Sequence, residues 1–98
     1  MSQQKLKMKV HVEVRSVEGT RRHDLVFDAD SVTLYDVLVS MSQKKWGQDL
    51  FVMKEDRVSQ IPGYLMVLEK RMVQQWEVDD IPVTDGNHLK FVKVVPGG

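Results

Sequence analysis

From Lys5 to Arg15 the chain alternates without a break. Leu6, Met8, Val10, Val12 and Val14 fall on one side and Lys7, Lys9, His11 and Glu13 on the other. A period of two is the mark of a strand with one buried and one solvated face, and no helix can seat such a pattern. The opening segment must therefore lie on a core that later residues supply. Glu18-Gly19-Thr20 offers a turn with a residue free to take positive φ, and Leu25 and Phe27 share one face of the strand that follows. The two segments read as an antiparallel hairpin.

The period then changes to that of a helix over Val32 to Trp46. Thr33 can cap the first turn, Asp36 stands three residues on, and Val32 can staple onto Val37. Leu34, Val37, Leu38 and Met41 line one face, Lys44 and Lys45 fall in the expected last turn, and Gly47 is the expected terminator. Between Gln48 and Gly63 the pattern is weak. Leu50, Phe51 and Met53 suggest a short helix there, and Ile61-Pro62-Gly63 a turn. Tyr64 to Leu68 is a continuous apolar run expected as a strand with apolar residues on both faces. Met72 to Val78 is expected as a short edge strand ending at Trp76, Asp85-Gly86-Asn87 as a turn, and Leu89 to Val95 as the last strand. The order predicts an α+β fold, a mixed sheet of four to five strands with one main helix on one face. With Leu89 and Phe91 turned to the helix, Val92 and Val94 fall on the open face, where apolar residues need a reason.

At 98 residues a single domain is expected. Lys plus Arg and Asp plus Glu each number 14, so net charge argues for neither nucleic acid nor an anionic membrane as main partner. There is no cysteine, hence no disulfide, thiolate nucleophile or thiolate ligand. The first residues lack an apolar signal core and no apolar run approaches a membrane span, which makes the cytoplasm the expected location. His11, His23 and His88 show no metal-ligand spacing. Asp79, Asp80 and Asp85 lie in turn-like sequence, where Asp bonds locally, and Ser31, Ser40, Ser42 and Ser59 sit in no nucleophile motif. No catalytic residue and no bound cofactor or metal is expected.

The Gly-Gly tail is either a plain frayed end or the expected seat of the chemistry. A carboxylate becomes reactive as an acyl adenylate, which requires it to enter an ATP site on another protein. Gly97 and Gly98 remove every Cβ from that path. The four residues from Val95 reach at most about 13 Å beyond the sheet at roughly 3.3 Å each, so the body can dock while the end is threaded.

Ile81 to Gly98, with its Asp85-Gly86-Asn87 turn, apolar strand and final Gly97-Gly98, resembles the C-terminus of the MoaD/ThiS sulfur carriers, ubiquitin-like proteins of β-grasp fold. The helix from Val32 to Trp46 also fits, and the likeness is weakest from Gln48 to Gly63. Three positions depart from the pattern: Asn87 replaces an aspartate, Glu69-Lys70 stands where an Asn-Gly-type turn is usual, and Pro96 stiffens the tail. The resemblance implies a single β-grasp domain with a flexible tail from about Val95 to Gly98. It implies that a ubiquitin-activating-type (MoeB/ThiF-like) enzyme, using its own ATP and Mg, adenylates Gly98. A sulfur donor then forms the thiocarboxylate, and a sulfur-accepting synthase subunit takes the sulfur for molybdopterin, thiamine, a modified tRNA base or another product. Pro96, Gly97 and Val95 would thread the tail, and Val92, Val94 and Trp76 would form the docking face. Two other readings stand beside it: a modifier joined to lysines through Gly98, and a non-covalent β-grasp interaction module.

Overall fold

The alternation at the start builds the floor of the molecule. In the computed structural model, which describes residues 7–95, strand β1 (Met8–Ser16) buries Met8, Val10, Val12 and Val14, each at most 1% exposed. Val17 and Glu18 make the reversal, with Gly19 at φ +128° opening β2 (Gly19–Phe27), and the hairpin runs in register from Ser16 opposite Gly19 to Met8 opposite Phe27. Leu25 is buried and Phe27 packs half-buried against the same core.

Helix α1 (Leu34–Ser42) starts where its cap dictates. The Thr33 hydroxyl accepts from the Asp36 N–H and the Asp36 carboxylate accepts from the Thr33 N–H, both at 3.1 Å. Leu34, Val37, Leu38 and Met41 are fully buried on the sheet. The helix is shorter than its apolar spacing predicts. It ends at Ser42, so Lys44 and Lys45 lie in the turns beyond it, and Trp46 reaches the core by stacking on His23 at 4.1 Å. Gly47 closes these turns so tightly that a Cβ there would stand 2.3 Å from the Met41 carbonyl oxygen.

The stretch from Gln48 departs most from expectation. A single 3₁₀ turn (Gln48–Leu50) leads into β4 (Phe51–Lys54), which pairs antiparallel with β5 (Arg57–Gln60) through a turn whose two residues, Glu55 and Asp56, both take positive φ. β6 (Tyr64–Leu68) is followed by a short β7 (Arg71–Val73), after which Trp76 lies in a 3₁₀ turn rather than at the end of a strand. Two three-residue strands, β3 (Ser31–Thr33) and β8 (Pro82–Thr84), pair beside the helix start. β9 (His88–Lys93) ends the described order.

The main sheet runs β2-β1-β9-β6-β7, with β9 parallel to β1 and every other neighbour antiparallel. With one helix across one face this is a β-grasp, an α+β fold whose main sheet has five strands. Phe91 sits at its centre, fully buried, its ring edge-on to Phe51 at 5.8 Å. No helix among the described residues is long and apolar enough to cross a membrane.

Candidate docking face beside the tail

Because β9 is the middle strand, its alternation decides what the uncovered face presents. Leu89 and Phe91 point into the core and are fully buried, which turns Lys90 and Val92 outward, both half-buried. Register then assembles the rest. Leu65 lies opposite Val92, Val67 opposite Lys90, and Met72 opposite Val67. Val92, Leu65, Val67 and Met72 thus make one apolar patch drawn from three strands, with Leu65 40% and Met72 53% exposed. Apolar side chains left uncovered on a face with no helix of its own make this patch the candidate docking surface of the described residues.

The other half of this face is charged. Arg15 faces Val92 across β1, and Glu13 faces Lys90. Glu13 accepts from Arg15 and, at 3.2 Å, from Arg22. The hydrogen bond from Arg15 holds its carboxyl below the usual carboxylate range, against the opposing effect of burial. The patch is therefore apolar towards β7 and bordered by ion pairs towards β2, which gives any partner a defined orientation.

Beyond β9 the backbone stays attached for one more residue. The Val94 N–H donates to the Gly63 carbonyl at 2.8 Å, and Gly63, at φ +98°, also leaves room for the Lys93 ammonium, which lies 5.0 Å from the centre of the Tyr64 ring. Val94 is 44% and Val95 64% exposed. Of the residues expected in the tail, Val95 is the last described; Pro96, Gly97 and Gly98 lie outside the described residues.

Trp76 does not join Val92 and Val94. It is 79% exposed beside Lys54, Arg57, Ser59 and Asp79, against the β4–β5 hairpin. There Arg57 pairs with Asp79 at 2.7 Å and lies 4.2 Å over the Tyr35 ring, whose hydroxyl accepts from the Val58 N–H. Leu65, Val67 and Met72, which sequence reasoning did not assign to this face, are the apolar residues that register places beside Val92, where Trp76 was expected. The signal was present in the apolar run over Tyr64 to Leu68, but only the pairing with β9 shows which of its residues meet Val92.

Asp79 and Asp85, expected to bond locally within their turns, bond instead to distant elements, Asp79 to Arg57 and Asp85 to β1. Asp85 accepts from the Lys9 N–H at 2.7 Å, tying the last turn to β1. His11 and His88 stack at 4.8 Å, with His11 bonded to Asp24 at 2.8 Å. Glu69, whose turn with Lys70 departs from the Asn-Gly type, takes φ +56° itself. Its carboxylate accepts from the His88 N–H at 2.6 Å and from the Asn87 amide at 3.2 Å, and the first of these bonds lowers its pKa. Among the described residues no three His, Cys, Asp or Glu side chains gather as a metal site requires.

No family model matches this chain, and no curated protein matches it by sequence. A solved structure does: the solution structure of the Haloferax volcanii HVO 2177 protein is similar over 100% of this chain and 93% of that one, with a TM-score of 0.66 and 20% identity. At that identity the likeness is one of fold, and it extends over the whole sheet and helix described above.

Proposed function

We propose that the chain is a sulfur carrier that docks through Val92, Leu65, Val67 and Met72 and offers Gly98, where this is the last residue of the mature chain, as the acyl group. One observation supports this reading above others: the apolar patch follows the central strand β9 on the uncovered face and leads directly to the exposed Val94 and Val95. A body held by that patch would have its tail delivered to the same partner. On the partner, a ubiquitin-activating-type enzyme, the carboxylate attacks the α-phosphate of ATP and releases pyrophosphate. Sulfur at the hydrosulfide level, brought by a donor, then displaces AMP and leaves the thiocarboxylate. ATP and Mg belong to the partner, and a synthase subunit, in the manner of molybdopterin synthase, would accept the sulfur and return the carboxylate.

Intact-protein mass spectrometry after incubation with activating enzyme, ATP and sulfide tests the proposal. The expected product has one terminal oxygen exchanged for sulfur. Its persistent absence rules the carrier reading out, and Gly-Gly remnants on lysines of other proteins would mark a modifier instead. Removal of Gly97 and Gly98 should abolish function while leaving the melting temperature unchanged; unaltered function would leave a non-covalent interaction module.

A further inference from the structure

Strand β2 forms one margin of the sheet, and among the described residues no strand pairs with its outer edge. Its exposed main-chain groups can be identified from β1. The His11 N–H donates to the Asn87 carbonyl, while Lys9 directs its N–H to Asp85 and its carbonyl to the Gly86 N–H, all away from β2. In an antiparallel ladder a residue sends both groups to one side, so Lys9 with Val26 and His11 with Asp24 are non-hydrogen-bonded pairs. Thr20, Arg22, Asp24 and Val26 therefore present free N–H and C=O groups outward. Charges on an edge normally prevent further pairing. Here they alternate in sign about His23.

We propose that a second copy of this chain pairs along this edge, β2 against β2 antiparallel about a two-fold axis at His23, with Arg22 and Asp24 of each copy facing Asp24 and Arg22 of the other. In this register the outward groups meet one another: Arg22 opposite Asp24 and Thr20 opposite Val26 become hydrogen-bonded pairs. An axis at Arg22 or at Asp24 would instead oppose like charges, which a sheet pair tolerates poorly. A shift by one residue would leave outward groups facing inward ones. The charges are free to cross. Glu13 engages only Nε of Arg22 and His11 only one oxygen of Asp24, and the two side chains are 74% and 51% exposed. The axis falls at His23, whose ring lies stacked on Trp46 at 4.1 Å and whose pKa burial, then Arg21, lowers, which disfavours charge at the crossing. The paired sheets would have ten strands with both docking patches on one side, neither covered.

Sedimentation equilibrium of the full chain over a wide concentration range tests the pairing. A monomer–dimer equilibrium is expected. Arg22→Asp and Asp24→Arg, each shown to be folded by circular dichroism and melting, should each raise the dissociation constant roughly tenfold, because two crossings become repulsive. An equimolar mixture of the two variants should regain the lost affinity, since opposite charges then face each other at both crossings. Under mild oxidation His23→Cys, in a chain without cysteine, should form an intermolecular disulfide. A monomer at every concentration overturns the proposal. So does a dimer indifferent to both substitutions, or a mixture no tighter than either variant alone.

Discussion

Phe91 and Val92 are neighbours in sequence and opposite in consequence. Phe91 is fully buried against Phe51, so Phe91→Ala removes a core ring, which costs about 3–5 kcal/mol. A domain of this size has roughly 5–15 kcal/mol of stability, and each kcal/mol moves its Tm by about 4–8 °C, so a fall of about 12–40 °C is expected. Val92 is half-buried on the open face with Leu65 opposite on one side and Arg15 on the other. Val92→Asp loses some strand propensity and contact with Leu65 but gains a cation across the ladder. About 1 kcal/mol is expected, and a Tm within about 8 °C of the parent. On the proposed activating enzyme the order reverses. A carboxylate pressed into an apolar interface costs more than the roughly 3 kcal/mol of a neutral polar group, so pyrophosphate exchange should show kcat/KM lowered about 100-fold or more. If Val92→Asp melts as early as Phe91→Ala, the face assignment is wrong. If it folds and is adenylated at the parent rate, the patch does not dock that enzyme.

Three further outcomes follow from the geometry. Thr33→Ala removes the acceptor of the capping box and should cost about 1 kcal/mol, read as a lower urea midpoint with unchanged slope. Gly47→Ala places a Cβ against the Met41 carbonyl and should cost more than about 2 kcal/mol by the same measurement, although its φ is ordinary; a neutral result would mean the post-helix turns can open freely. Burial, then Arg21, lowers the pKa of His23, so on acidification the unfolded chain takes up this proton before the folded one does. Its contribution is complete above the unfolded value of about 6.5 and declines as pH falls below it. The urea midpoint should therefore drop as pH falls through about 6.5, and His23→Phe should flatten that part of the profile.

Where local physics acts alone, the sequence was readable. The period of β1 names its four buried residues, and Thr33 with Asp36 marks the helix start to the residue. It misleads where distant contacts decide. Trp46 keeps the helical spacing, yet its ring is held by His23 from β2 and the helix has already ended. The β4–β5 hairpin has no glycine in its turn, and Glu55 and Asp56 adopt positive φ without announcing it. Glu69 does likewise, held by a backbone amide nineteen residues on. Strands β3 and β8 are too short to show any period. The same division runs through the site. Val92 could be turned outward by parity, whereas Leu65 and Met72 join it only through register, and Trp76 is carried off by a 3₁₀ turn that its residues do not signal.

The strand at the centre of the sheet is also the last one in the described order. Until β9 is made, the first hairpin and the β6–β7 pair have no common neighbour, and Phe91 is missing from the middle of the core. A ribosome product interrupted before His88 would be two fragments of sheet in search of a seam, and contacts spanning this much of the chain form slowly. Chain order thus leaves the seam of the sheet to the strand that comes last among those described, and the core cannot close before it is made.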